Sequence, residues 1–324
     1  MKRGCLVLVA IAIVAALGIG GWFMSGWYGG SSGEKDASFI VPQGATLTST
    51  AGKLEEEGLI TSADSFLLRA KILGSGDPIK AGEFAIPAGS SPATILNTLQ
   101  HGEVVRRMVT VPEGLPSIMV HERLMAEPLL TGEVEVPAEG SILPDSYDFE
   151  RGEARSAVLL RMQQEMSDFI AAEWPKRDKD LPVTTPQEAL SLAAIVEKET
   201  GVPEERRMVA GLYTNRLKTG MRLQADPTII YPITKGKPLG RRIKRSEINA
   251  VNGYNTYSMD GLPKGPITNP GRESILAVLH PAETKALYMV ADGSGGHAFA
   301  ATLDEHNANV TKWRQIRRER GEIP

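Results

Sequence analysis

The chain has 324 residues, 42% of them hydrophobic and 23% charged, and a formal net charge of -3. That length suits roughly two or three domains with real cores, and a near-neutral balance without long blocks of one sign argues against a nucleic-acid surface or any other polyanionic partner. Cys5 is the only cysteine, which excludes an internal disulfide framework and a cysteine metal cluster.

Lys2 and Arg3 precede an uncharged stretch from Cys5 to about Met24 that is rich in Leu, Val, Ile and Ala. Roughly 20 apolar residues cross a bilayer core, and leading positive charges keep a short tail cytoplasmic, so residues 1–25 are expected to be a transmembrane anchor with the remainder exported. A cleaved signal peptide is the competing reading, because Ala15 to Gly21 offers small residues to a peptidase. Trp22, Trp27 and Tyr28 favour the uncleaved anchor, as aromatics that would collect at the membrane interface. Cys5 precedes the apolar run, whereas a lipoprotein signal would place its cysteine after it.

Residues 26–38 are expected to be a linker of Gly, Ser and charge. Residues 39–103 read as a compact module in the order strand, helix, helix, strand, helix. Leu47, Ala51 and Leu54 share one face of a first helix that Gly58 ends, Ser62 or Asp64 caps a second to about Leu73, and a third runs from Pro92 to Leu99. The module is either a small packing domain or a glycan-binding unit resembling LysM. Residues 104–183 read as a connecting region, with a strand from Val104 to Val111 and a helix near Ile118 to Met125. The turn-rich stretch Glu139-Gly-Ser-Ile-Leu-Pro-Asp-Ser-Tyr follows, then helical periodicity from Ala154 to about Trp174. From residue 184 to 324, one strong helix is followed by long Gly, Pro, Asn and Tyr-rich segments with few evident regular elements. Loops this long inside a compact domain tend to be functional or disordered, and their aromatic and amide side chains argue for the first.

The strong helix opens with Thr185 as N-cap, Pro186 at its first position and Glu188 completing a capping box, and Gly201 closes it. At about 100° per residue, Leu192, Ile195, Val196 and Glu199 share one side, Leu190, Ala193, Ala194 and Glu197 another, and Ser191 with Lys198 the solvated remainder. Aliphatic neighbours and the negative helix end both disfavour a carboxylate anion, so either glutamate could stay protonated and serve as an acid. The plainer alternative pairs them with Lys198 or Arg206. Residues two apart do not face each other, so only one catalytic carboxylate is expected here. Asp226 is a candidate second carboxylate, but Ala-Asp-Pro-Thr is also a turn in which Asp226 would bond nearby backbone.

The sequence resembles the endolytic murein transglycosylase family, also called YceG-like. The resemblance runs through Ala194-Ile-Val-Glu-Lys-Glu-Thr, Asn215-Arg-Leu, Met221-Arg-Leu-Gln-Ala-Asp-Pro-Thr, Tyr254-Asn-Thr-Tyr, Gly261-Leu-Pro-Lys-Gly-Pro-Ile and Val290-Ala-Asp-Gly-Ser-Gly-Gly-His. These motifs cover about residues 185 to 310, and the anchor and module fit the family more loosely. The resemblance implies an α+β fold: an N-terminal transmembrane helix, a small LysM-like module, and an α+β catalytic domain with its glutamate near a helix C-terminus. It also separates the two glutamates, because lytic transglycosylases generally place Ser or Thr directly after the catalytic Glu; Glu199-Thr200 fits and Glu197-Lys198 does not.

The activity implied is cleavage of the bond between N-acetylmuramic acid and N-acetylglucosamine within a strand, leaving a 1,6-anhydro end and helping to terminate nascent strands. Partners implied are peptidoglycan strands, the cytoplasmic membrane and peptidoglycan synthases. One carboxyl can act as acid and then as base. For sugar binding, Tyr254, Asn255 and Tyr257 offer flat rings and an amide within four residues, and Gln224, Asp226 and Asn269 offer further hydrogen bonds. No cofactor is expected: His297 lacks metal-ligand spacing, and Asp292-Gly-Ser-Gly-Gly falls short of a phosphate loop. The competing functions are a non-catalytic anchored glycan-binding scaffold and a lysozyme-type hydrolase.

Overall fold

The computed structural model describes residues 2–30, 33 and 35–323. Of the expected linker, Ser31, Ser32 and Glu34 lie outside the described residues, as do the side chains of Lys2, Arg3 and Cys5. The chain is mixed α+β and divides into two compact units, Met1–Arg107 with Glu150–Gly152, and Met108–Phe149 with Glu153–Pro324.

The first unit begins with α1 (Lys2–Tyr28), in which Leu6–Tyr28 is long and apolar enough to cross a membrane. Then come β1 (Ala37–Val41), α2 (Leu47–Glu56), α3 (Ala63–Leu73), β2 (Gly82–Ile86) and α4 (Pro92–His101). β1 and β2 pair antiparallel with Phe39 opposite Phe84, and both rings are fully buried beneath the helices. Local chemistry sets the helix starts: Thr46 and Ser49 form a capping box, and the Ser62 and Ser91 hydroxyls accept from the third residue of their helices.

The end of α1 departs from expectation. Gly26 to Tyr28 are helical rather than linker, and Trp27 is 2% exposed, tilted against Phe66 inside the same core that holds Phe39 and Phe84. Arg69 of α3 donates from Nε to the Phe23 carbonyl (3.1 Å) and lies over the Trp22 and Phe23 rings. Only Trp22 and Tyr28 keep the outward exposure of interfacial aromatics. Glu83, almost fully buried, gathers Arg107 (2.8 Å), Arg151 (2.7 Å) and the Ser38 hydroxyl, and these donors hold its carboxyl down at about 2. That node ties residues 150–152 to the first unit.

β3 (Arg106–Thr110) leads into the second unit, followed by α5 (Ser117–Ala126), β4 (Ser146–Glu150) and α6 (Arg155–Glu173). β3 and β4 form a two-stranded sheet. Val109, Val120, Leu124, Ile142, Phe149 and Met162 close a core of their own here, so residues 108–149 pack as more than a connection. Strand β4 begins at the end of the turn-rich stretch and is not anticipated from the sequence.

The remaining elements are α7 (Pro186–Glu199), α8 (Arg206–Lys218), α9 (Pro227–Thr234), α10 (Arg245–Ile248), α11 (Arg272–Leu279), β5 (Tyr288–Ala291), β6 (His297–Ala300) and α12 (Leu303–Glu319). The expectation of few regular elements after residue 201 is therefore corrected. α8 escapes periodicity because Gly211 sits mid-helix, where a Cβ would lie 2.5 Å from the Ala282 carbonyl oxygen. α12 has no fully buried residue and so little apolar signal. α7 is the core of this unit: every residue from Ala189 to Val196 is buried, including Ser191, whose hydroxyl donates to the Gln187 carbonyl (2.9 Å) instead of facing solvent. It packs against α8, α9 and α11.

Candidate active site

α7 starts as its sequence dictates. Thr185 and Glu188 cap it reciprocally, and the Glu188 carboxylate also takes the N–H and hydroxyl of Thr184. It ends on Glu199, with Thr200 extended and buried behind it. The two glutamates of this last turn have different surroundings.

Glu197 is occupied. Its Oε2 accepts from the Gly271 N–H (3.0 Å) and the Ser274 hydroxyl (2.6 Å), so it caps the N-terminus of α11 and meets the positive end of that helix. Arg206 pairs with Glu113 (3.3 Å), and Lys198 Nζ reaches the Gly114 carbonyl (3.4 Å). The simple pairing of Glu197 or Glu199 with those cations is therefore not what the fold builds.

Glu199 stands among protein groups that push its carboxyl up to about 7. Burial is the main cause, and the negative charge of Asp226 adds to it. A hydrogen bond from Tyr213 and the positive charge of Arg216 oppose it. Tyr213 and Arg216 lie one turn apart on α8, so one helix presents both. Tyr213 is buried, and its phenol is pushed well above the usual tyrosine range by burial and then by the Glu199 charge. Arg216, 8% exposed, donates from Nε to the Leu287 carbonyl (2.7 Å) and from Nη1 to the Leu223 carbonyl (2.6 Å). Asn215 adds bonds to the carbonyls of Thr284 (2.8 Å) and Ala286 (3.1 Å). Neither Tyr213 nor Arg216 figures among the sequence candidates. An arginine inside the apolar pattern Leu212, Tyr213, Leu217 was the available signal.

Asp226 precedes α9 in helical backbone conformation, but its side chain caps nothing. Its Oδ1 accepts from the Tyr257 phenol at 2.6 Å, and the carboxylate is exposed. The turn role expected for Asp226 gives way to a second carboxylate beside Glu199. Burial and the Asp226 carboxylate both raise the Tyr257 phenol, so it stays a donor. Gln224 is also exposed and has a left-handed backbone (φ 53°), with its N–H given to the Thr256 carbonyl (3.2 Å). A non-glycine residue there is strained. The anchor for this bend is Thr256, whose hydroxyl bonds the Ala225 N–H (3.0 Å) and the Thr228 hydroxyl (2.8 Å).

Three other sugar-binding candidates have structural work. Asn255 is fully buried: its amide donates to the carbonyls of Ile248 (2.9 Å) and Ala250 (2.7 Å), and its oxygen accepts from the Tyr257 N–H (3.0 Å). It shapes the loop that carries Tyr257 and has no face for a ligand. Asn269 is fully buried too, joining Leu115, Ser117 and Ile142. Tyr254 packs against Tyr231 (centroids 4.8 Å apart) beneath the Lys264 ammonium, in a cluster that includes Glu139. Of the six substrate candidates, the fold thus brings Asp226 and Tyr257 to Glu199, leaves Gln224 exposed two residues before Asp226, and commits Asn255 and Asn269 to the interior.

Known proteins agree with this architecture. The YceG-like family model matches residues 39–312. The endolytic murein transglycosylase of Bacillus subtilis is 25% identical over 338 residues, which cover 93% of this chain and 92% of that protein. The proteins of that name from two strains of Streptococcus pneumoniae are 25% identical over 362 residues, spanning 94% of this chain and 64% of theirs. A crystal structure of a YceG-like protein from Listeria monocytogenes superposes with a TM-score of 0.52 at 24% identity, covering 85% of this chain and 99% of that one. With a family model spanning most of its length and a solved relative of the same fold, the chain belongs to the YceG-like family.

Proposed function

We propose that this protein is an endolytic lytic transglycosylase of peptidoglycan, cutting between N-acetylmuramic acid and N-acetylglucosamine within a strand, with Glu199 as the single acid/base. The observation that carries the reading is a buried glutamate at the end of α7 whose carboxyl is pushed up to about 7 beside a second carboxylate, Asp226. The similarly named relatives supply the substrate.

Protonated Glu199 gives its proton to the departing glycosidic oxygen, and the bond from that oxygen to the muramic anomeric carbon breaks. Positive charge develops at the carbon. The substrate's own acetamide can share it, and the Asp226 carboxylate, held in place by the Tyr257 hydroxyl, supplies a negative charge nearby. Glu199, now a carboxylate, removes the proton from the sugar's 6-hydroxyl as that oxygen bonds the anomeric carbon. The 1,6-anhydro ring closes, Glu199 is protonated again and no water is consumed. Tyr213 and Arg216 favour the transient anion, so the group returns between its two states without a large penalty in either.

Residues 184–324 would carry this chemistry, with 104–183 packed as their support. Residues 39–103 would form a LysM-like glycan-binding module and α1 a single-pass anchor in the bacterial cytoplasmic membrane. The positive tail would stay in the cytoplasm and the soluble part would lie outside, within reach of peptidoglycan synthases and nascent strands. Full-length protein in detergent micelles, given uncrosslinked glycan strands, is expected to release fragments with anhydro ends. A lysozyme-type hydrolase would release fragments heavier by one water, which mass spectrometry separates. Glu199→Gln should stay folded and release none; wild-type yield from that variant would end the assignment.

A further inference from the structure

The hairpin of β5 and β6 carries a histidine for which the proposed reaction gives no role. The His297 N–H donates to Glu205 Oε1 at 2.7 Å, and its ring Nδ1 lies 2.7 Å from Glu205 Oε2. That same Oε2 is 3.2 Å from the hydroxyl of Thr200, the residue after Glu199. Thr200 also accepts from the Val202 N–H (3.0 Å), so its hydroxyl closes the end of α7 onto the following turn. The hydrogen-bonded pair is mostly buried, with side-chain exposures of 20% and 17%. Gly296 makes room for it: a Cβ there would stand 2.4 Å from Glu205 Oε1. Because Glu205 accepts at Nδ1, the ring proton is fixed on that nitrogen and the ring orientation is set. A second link joins the hairpin to the site, since Arg216 lies over the Tyr288 ring of β5 while its charge acts on Glu199.

We propose that His297 is a positioning residue for Glu199, acting through Glu205 and Thr200 to hold the last turn of α7 in the place where the glutamate is shielded from water. His297 lies 92 positions beyond Glu205 in the sequence, and the fold joins it with Glu205 and Thr200 into one line that ends on the residue next to the acid. The inference rests on Glu199 being the acid/base and adds what keeps it in place. Its chemistry separates the two edges of the ring. Asparagine at 297 can present an amide N–H near the position of Nδ1 and keep the bond to Glu205, but it has nothing at Nε2.

The test compares His297→Ala and His297→Asn in the full-length protein, measuring anhydro-end release from uncrosslinked strands as a function of substrate and pH. His297→Ala is expected to lower kcat tenfold or more with KM within about twofold. It should also move the alkaline limb of kcat to lower pH, since a loosened Glu199 meets more water while Asp226, Tyr257, Tyr213 and Arg216 still face it. His297→Asn should recover most of kcat and the wild-type limb. The position of that limb does not depend on the fraction of protein folded, so poor folding of the alanine variant does not obscure the result. Wild-type kcat and pH profile in His297→Ala would overturn the proposal. So would an asparagine variant as slow as alanine with a raised KM, which would put Nε2 on the substrate. If Glu199→Gln is dead while His297→Ala is fully active, the positioning role alone falls; if Glu199→Gln is fully active, both fall.

Discussion

Ser274 donates its hydroxyl to Glu197 at 2.6 Å, and through that bond the glutamate two residues before Glu199 belongs to a different helix terminus. Capping and the proposed catalysis are thereby divided between two residues of one helical turn. Replacing Glu197 by Ala removes the carboxylate oxygen that accepts both bonds at the start of α11. It is expected to lower stability by about 1–2 kcal/mol, the usual scale for a lost cap. Chemical denaturation should show the loss, and the folded fraction should still cut glycan. A folded Glu197→Ala with no activity would move the chemistry to the other glutamate.

Glu199 should destabilise its own fold at alkaline pH. Its folded value of about 7 lies above the ordinary 4.5, so the native state binds the extra proton across that window. Its contribution to stability is fully present below 4.5 and is lost as pH rises through 7. Glu199→Gln cannot ionise and should therefore exceed wild type in stability above pH 7, by ~1–3 kcal/mol from the size of the shift. Equal melting curves for the two proteins at pH 8.5 would contradict this.

Asp226→Asn removes the neighbouring charge that helps keep Glu199 protonated. Burial, the larger cause, remains. The alkaline limb of kcat is expected to move to lower pH without reaching the range of a free carboxylate, and kcat at its optimum should fall as the fixed charge near the anomeric carbon is lost. A limb unmoved in Asp226→Asn would mean that the two carboxylates do not interact.

Glu83 has the opposite sign. Held at about 2 by Arg107, Ser38 and Arg151, it contributes stability above 4.5 that disappears as pH falls through 2. Glu83→Ala leaves two partly exposed arginines without their shared carboxylate. A loss of about 1–3 kcal/mol in the first unit is expected, read by thermal unfolding at pH 7. At pH 2 the variant and wild type should converge.

What was legible in the sequence was local. The Thr185-Pro186-Glu188 start of α7 and the cap at Ser62 need only residues three apart, and the structure has them at those places. The division between Glu197 and Glu199 needed Ser274 and Asp226, which no helical period can supply. Asn255 and Asn269 have the functional groups of sugar ligands and of backbone clamps alike, and only burial tells those uses apart. Tyr213 and Arg216 were hidden for a related reason: both bond to segments brought close by the fold. Gly211 is the small residue that lets α8 pass the Ala282 carbonyl, a contact between segments far apart in sequence.

Trp27 gives the proposed anchor a mechanical meaning. The apolar helix does not stop and hand over to a tether; its last turn is a wall of the module's own interior, clamped further by Arg69. With α1 spanning a bilayer, the module has no slack with which to wander. Whatever the module touches would then lie within its own reach of the lipid surface, and lateral diffusion of the helix would decide what it meets.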